Sequence, residues 1–363
     1  MSPTQSGPIG KLLWLCLGYF LMYVANGMFA KYFTDFLGLK PFEYGFNNTL
    51  GSVFVAVIVA LVLRWYRMPF SERRWFGPFR LPTEAPYLIM SGICTAVIVP
   101  GTTLMYTVQG VSVMVAMVIM RGCIIVVSRM VDAVQQRQGL LKRRIHPAEN
   151  WAVVFALLGV ATNLFYGSAV QGLHLPLPTS TTTAAVNFGF GLFGNTVLVL
   201  YVIAYGVRLY WMNYYKNTRG TAPQDNKGYF AIEQITSTVT LILVVIGLLW
   251  GTNQFHWTAQ RLLDLQAAAH QPNPLAIASG LPYGLIAFLS VFIFMFKGRN
   301  ASFTGVVNRL TSLLGGVGAT LATCWILKGP LPKPEDWAAL TFVMIAIYFL
   351  VQAEKKRQRE MSE

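Results

Sequence analysis

An arginine stands in the middle of a long apolar run, Val111 to Val131 (VSVMVAMVIMRGCIIVVSRMV). The run matches the thickness of a bilayer core and reads as a membrane-spanning helix. A guanidinium at mid-bilayer costs at least about 2.5–3.5 kcal/mol on insertion scales, so Arg121 is expected to face a cavity, a partner or a substrate rather than lipid. Its chemistry is the attraction of negative charge, and we read it as marking a transport path for an anion. Arg309, inside the apolar run 301–327, offers the same chemistry.

Other polar residues sit where they could serve the same path. Asn47 and Asn48 lie one turn inside one apolar run, and Glu233 and Gln234 one turn inside another. These four either line gates or cap helices. Tyr106 either stacks on a ligand or anchors its helix at the headgroup level, where tyrosines gather. Lys297 either draws anions to the inner mouth or follows the general charge bias of cytoplasmic loops. Arg129, with Asp132 three residues on, reads as a helix-surface ion pair or a snorkelling side chain in preference to a substrate ligand. Glu233 is the carboxylate best placed inside a run. The scarcity of such acids favours exchange or facilitated movement over ion coupling, with Glu233 the coupling residue if there is one.

Other chemistries lack their residues. Cys16, Cys94, Cys123 and Cys324 are scattered singly in apolar segments, and the four histidines have no ligand spacing, so no metal or redox cofactor is expected. Gly7–Lys11 is too short for a phosphate loop and lacks the following Ser or Thr. An enzyme acting on lipid-linked substrates would need clustered acids or histidines at one interface. A membrane scaffold has no use for two midplane arginines. The net charge of +14 is spread over short segments between apolar runs, which fits a membrane protein rather than a nucleic-acid-binding face.

The elements that must position these residues are helices. The chain is 55% hydrophobic and only 12% charged, against roughly 25% charged in soluble domains. Ten spans are expected: 11–30, 45–64, 86–107, 111–131, 148–167, 184–207, 229–250, 274–296, 301–327 and 334–353. The first reads as a helix rather than a signal peptide, since no cleavage site follows it. Pro86, Pro147, Pro274 and Pro334 suit first helical turns. Pro100 should kink its span. The segment 255–270 is amphipathic, fitting either a surface-lying or a packed loop helix.

Lys and Arg set the orientation. The N-terminus and every second loop hold twenty, Arg208 counted among them, and the other side holds five. Both termini are therefore expected in the cytoplasm, with membrane lipid as the surrounding partner. Short loops favour a bacterial inner membrane over a Golgi or endoplasmic-reticulum membrane.

The halves echo each other. Arg121 lies 26 residues before Pro147 and Arg309 lies 25 before Pro334, so the arginines correspond at an offset of 188. Asn47–Asn48 and Glu233–Gln234 correspond within two residues of that offset. Five spans per half is an odd number, so the second half must enter the membrane inverted. The expected fold is an all-α membrane protein with a five-plus-five inverted-topology repeat, 1–183 and 184–363.

The segment Gly101–Asp132 (GTTLMYTVQGVSVMVAMVIMRGCIIVVSRMVD) is similar to the third-to-fourth helix region of the solute carrier 35 group, especially its F-type branch, where G-T-x-L-M-Y precedes M-x-R-G. Val306–Trp325 (VVNRLTSLLGGVGATLATCW) is similar to that group's ninth helix. The whole pattern resembles the drug/metabolite transporter superfamily, EamA-like carriers included. The resemblance implies a secondary carrier, not an enzyme, moving nucleotide sugars or other organic anions by alternating access. An exporter of amino acids or other small metabolites on the same scaffold is the alternative. Phe46–Asn48 and Gly298–Ala301 echo the GDP-mannose carrier signatures only faintly, which leaves the substrate open.

Overall fold

The computed structural model of the chain describes residues 8–66, 73–76, 79–108, 111–140, 146–172, 191–218, 225–255, 259–294 and 301–362. The helices are α1 (Pro8–Lys31), α2 (Pro41–Val62), α3 (Ala85–Tyr106), α4 (Val113–Arg137), α5 (Pro147–Gly172), α6 (Gly191–Thr218), α7 (Asn226–Phe255), α8 (Gln260–His270), α9 (Pro274–Ala278), α10 (Leu281–Phe294), α11 (Ala301–Leu327) and α12 (Pro334–Ser362). A π-helical turn, Tyr32–Phe36, extends α1. A two-stranded antiparallel hairpin, β1 (Arg73–Phe76) and β2 (Phe79–Pro82), lies between α2 and α3.

Among the described residues nine helical spans are long and apolar enough to cross a membrane, and α5 adds a shorter apolar stretch, Pro147–Thr162. The protein is a helical, multi-pass membrane protein. Its outer surface agrees: Leu243, Ile246, Trp250 and Trp325 are each more than half exposed. Contiguous exposed apolar surface on this scale is costly in water and natural in lipid.

Local chemistry explains the helix starts. Proline opens α2, α5, α9 and α12 and follows the first residue of α3, positions where a missing N–H costs nothing. Ser112 caps α4 by accepting from the Val115 N–H, and Asn273 caps α9 by accepting from Leu275 and Ala276. Helix α3 carries Pro100 without interruption.

Three features depart from the sequence reading. Helix α6 runs on to Thr218 rather than ending at 207, so Arg208 is inside a helix and not in a loop; the expected residues 184–190 lie outside the described residues. The eighth span is broken at Ser279–Gly280 into α9 and α10. The hairpin was not foreseen. The amphipathic segment forms α8, which buries Leu265 and Ala268 and packs on α2 and α7.

The start of α1 and the end of α12 share one end of the bundle with the ends of α2, α4 and α6 and the starts of α3, α5 and α7; the opposite end holds α8 and the starts of α2 and α9. Helix α3 packs on α6 and α7, and α10 packs on α1 and α2. Helix α1 packs on α11, and α6 on α4. Helix α4 also packs on α5, and α11 on α12. The pairs α2 with α7, α4 with α11 and α5 with α12 close the bundle. The interior is rich in tyrosine: Tyr19, Tyr44, Tyr106, Tyr201, Tyr215 and Tyr229 are all fully buried.

Candidate functional site

Arg121 is the ninth residue of α4 and Arg309 the ninth residue of α11. Arg121 is buried, 3% exposed. Its Nη2 donates to the Tyr23 hydroxyl at 2.7 Å, and the guanidinium carbon lies 5.8 Å from the centre of the same ring. Its Nε is buried and has no hydrogen-bond partner among the described residues. The groups bearing most strongly on its charge are Tyr23, Tyr201, Tyr19 and Tyr205, none of them a carboxylate. A guanidinium carries five donors, so this one has capacity to spare.

Arg309 is partly buried. Its charge is felt by Tyr205, Asp132 and Arg121, so both arginines reach into one interior region. Among the described residues its guanidinium makes no hydrogen bond. Its neighbour Asn308 is fully buried, accepting from the Tyr19 hydroxyl at 3.2 Å and donating to Ser290 Oγ at 3.3 Å. Tyrosine pairs from two helices flank the region: Tyr19 and Tyr23 of α1, edge to face at 4.9 Å, and Tyr201 and Tyr205 of α6 at 5.7 Å. Tyr106 is buried in the same interior, within electrostatic reach of Arg121, and donates to Met117 Sδ at 2.9 Å. It is no interface anchor.

Toward the termini end, Glu233 is fully buried and saturated. Arg208 Nε donates to its Oε1 at 2.8 Å and Arg208 Nη2 to its Oε2 at 2.9 Å. Ser91 and Thr95 of α3 also donate to Oε1, and Ser91 Oγ meets the Tyr229 hydroxyl at 2.7 Å. Gln234 is buried too, but among the described residues its side chain makes no hydrogen bond to this cluster.

Toward the opposite end, Asn48 is fully buried at the start of α2. The two hydrogens of its Nδ2 are shared among three acceptors, Asn26 Oδ1 (3.3 Å), the Tyr44 hydroxyl (3.1 Å) and the Ser279 carbonyl (3.2 Å). Its Oδ1 accepts from Thr103 at 3.0 Å, and Ser279 Oγ lies 3.2 Å from the Tyr44 hydroxyl. Asn47 does separate work: it donates to the Glu43 carbonyl and accepts from the Asn273 N–H, tying α2 to the start of α9.

The sequence residues thus divide. Arg121, Arg309 and Tyr106 converge on the interior. Asn48 and Glu233 belong to two separate polar clusters, and Asn47 holds a helix start. Lys297 lies outside the described residues. Arg129 donates to Asn150 at 3.4 Å. Sequence reasoning missed Arg208, Tyr19, Tyr23, Tyr201 and Tyr205. The signal was present: α1 reads Y-x3-Y-x2-N from Tyr19 to Asn26, and α6 reads Y-x3-Y-x2-R from Tyr201 to Arg208. Among the described residues no cluster of three or more His, Cys, Asp or Glu could hold a metal, and the four cysteines are free.

No family model matches the chain, and no curated protein matches it. A solved structure described only as "Crystal structure of protein" is similar over 96% of this chain and 98% of that one, at 12% identity and a TM-score of 0.45. A likeness of that size carries no argument about fold or function.

Proposed function

We propose that the protein is a secondary carrier, not an enzyme, that moves a small organic anion of the nucleotide-sugar or phosphorylated-metabolite class across a membrane by alternating access. The observation that carries this reading is Arg121: a buried cation that, among the described residues, has one side-chain hydrogen bond and an unpartnered Nε, with a second arginine in electrostatic reach. Burying a cation with spare donors is expensive, and the second arginine adds to the cost at Arg121, while Asp132 offsets part of it at Arg309. An anion that bonds both guanidiniums relieves it, and the tyrosine faces beside them suit a ring or sugar on the same ligand.

A ten-span inverted repeat is part of the proposal. Exchanging α1–α5 for α6, α7, α9–α10, α11 and α12 turns each major packing pair into another: α3–α6 becomes α10–α1, α3–α7 becomes α10–α2, α1–α11 becomes α6–α4, and α4–α5 becomes α11–α12. The pairs α2–α7, α4–α11 and α5–α12 map onto themselves. Alternating access in such a fold is the rocking of one half against the other around a site near the midplane. The Lys and Arg bias supports cytoplasmic termini. The resemblance to drug/metabolite transporters supports the same reading.

The test is a thermal-shift screen of the purified protein against nucleotide sugars, nucleoside monophosphates, phosphorylated metabolites and amino acids, repeated on Arg121→Ala and Arg309→Ala. A ligand bound by the native state raises its melting temperature by mass action. The proposal expects an anion to stabilise the wild type and neither variant. Equal stabilisation of all three proteins would make the arginines structural, and an amino acid as the best ligand would move the cargo to the alternative class.

A further inference from the structure

The two polar clusters are copies of each other. Tyr44 and Asn48 are the fourth and eighth residues of α2; Tyr229 and Glu233 are the fourth and eighth of α7. Ser279–Gly280 follows α9 as Ser91–Gly92 lies in α3, at the same offset of 188 that relates the arginines. In each cluster the serine hydroxyl meets the tyrosine hydroxyl and the residue four beyond that tyrosine bonds to the serine. In each, the third helix supplies the residue three beyond a Y-x3-Y pair: Asn26 from α1, Arg208 from α6.

The glycines correspond as well. A Cβ on Gly92 would lie 2.5 Å from Thr236 Cβ and 2.8 Å from the Glu233 carbonyl oxygen, and one on Gly280 would overlap the Asn48 carbonyl. Both serine–glycine pairs therefore bring a helix flush against the polar residue it bonds.

The copies differ in charge. The cluster near the termini is an ion pair whose carboxylate accepts four charge-assisted bonds, two of them from Arg208, and the opposite one is made of neutral groups at 3.0–3.3 Å around Asn48. Charge-assisted bonds are roughly twice as strong as neutral ones.

We propose that these clusters are the two gates of the carrier: Arg208–Glu233–Ser91–Tyr229 shuts the cytoplasmic side, and Asn26–Asn48–Tyr44–Ser279 shuts the outer side. The gates are unequal, and the empty carrier rests with the cytoplasmic one closed. Arg208, Ser91 and Tyr229 are gate residues, and Glu233 is a latch rather than a substrate ligand. The inference rests on the carrier reading above and adds which contacts must break on each side.

The protein contains its own reporter. Cys94 is buried in α3 between Ser91 and Thr95, with Arg208 and Glu233 in electrostatic reach. In protein with Cys16, Cys123 and Cys324 changed to serine, a membrane-impermeant thiol reagent is applied from the cytoplasmic face and the labelling rate of Cys94 is measured. Glu233→Gln should raise that rate about 10-fold, the advantage of charge-assisted over neutral bonding. Ser91→Ala, which leaves the ion pair intact, should raise it by a smaller factor. Asn48→Ala should not raise it, since loosening the outer gate favours the outward-open form.

Rates for Glu233→Gln and Ser91→Ala equal to the parent's would overturn the proposal. So would an Asn48→Ala rate as high as that of Glu233→Gln, which would mean general loosening. Labelling needs no substrate. A null result here beside a positive anion screen removes the gates and keeps the carrier; a labelling rise beside a failed screen removes the cargo class and keeps the gates.

Discussion

Arg121 and Arg309 are each the ninth residue of their helices, α4 and α11, yet among the described residues only Arg121 makes a side-chain hydrogen bond, to the Tyr23 hydroxyl. This asymmetry makes Arg121 the better-oriented of the two cations. Hydrogen bonds to charged groups contribute about 1.5–3 kcal/mol, so Arg121→Ala should weaken binding of the anion found by thermal shift about 10- to 150-fold. Tyr23→Phe removes only the orienting bond and should cost less than Arg121→Ala. Isothermal titration of both variants checks the order; equal losses would mean that Tyr23 itself binds the ligand.

The Arg208–Glu233 pair makes a prediction about stability. Removing one partner of a buried ion pair strands the other charge and costs about 3–5 kcal/mol. Glu233→Ala should therefore lower the melting temperature sharply. The double variant Arg208→Met, Glu233→Leu strands nothing and should recover most of the loss. Thermal unfolding in detergent decides it: a double variant no better than Glu233→Ala would show that the charges themselves hold the fold.

The close approach of α2 to α9 and α10 predicts a sharp contrast between two glycines. A Cβ at Gly51 would overlap the Ile277 carbonyl oxygen, whereas Gly247 in α7 has nothing within 4 Å. Gly51→Ala should destabilise by about 1–3 kcal/mol through overpacking. Gly247→Ala should be neutral or stabilising by up to about 1 kcal/mol from helix propensity. Melting temperatures of the two variants compare them directly.

A pH-dependent contact sits outside the membrane spans, where Lys40 bonds Asp264 of α8. Burial by itself raises the Asp264 carboxyl, but the hydrogen bonds from Lys40 and Gln260 outweigh it and hold the group below its usual range. A depressed carboxylate stabilises the fold above the unfolded value of about 3.9 and loses that contribution as pH falls through the folded value. Asp264→Asn should cost less than about 1 kcal/mol at pH 7, as exposed pairs do. The gap between variant and wild type should narrow as pH falls below the unfolded value of about 3.9 and vanish once the folded carboxyl is protonated, which unfolding curves over a falling pH series would read.

The membrane class, the helix starts at Pro86, Pro147, Pro274 and Pro334 and the two interior arginines were legible in the sequence, because apolar length and isolated charge are local signals. The second half of the chemistry was not. Arg208 lies one residue past the apolar run 184–207 and so resembled a loop cation; only packing against α3 and α7 reveals it as buried. The break at Ser279–Gly280 was hidden because the apolar pattern runs straight through it. The tyrosine pairs escaped a search at a fixed offset of 188. Their own offset is 182, and that of Asn48 and Glu233 is 185, since connections of different length shift the register between helices. The polar pairs Asn47–Asn48 and Glu233–Gln234 stood out in the sequence, but the partners of Asn48 and Glu233 come from other helices and are set by packing.

The most direct test of the central claim is uptake by proteoliposomes of the radiolabelled anion that best stabilises the wild type, measured for wild type, Arg121→Ala and Arg309→Ala reconstituted in equal amounts. The account predicts uptake by the wild type and loss in both variants, while all three proteins keep their fold by circular dichroism. Uptake at the wild-type rate by either variant would contradict it, because the cation on that helix would then not hold the cargo.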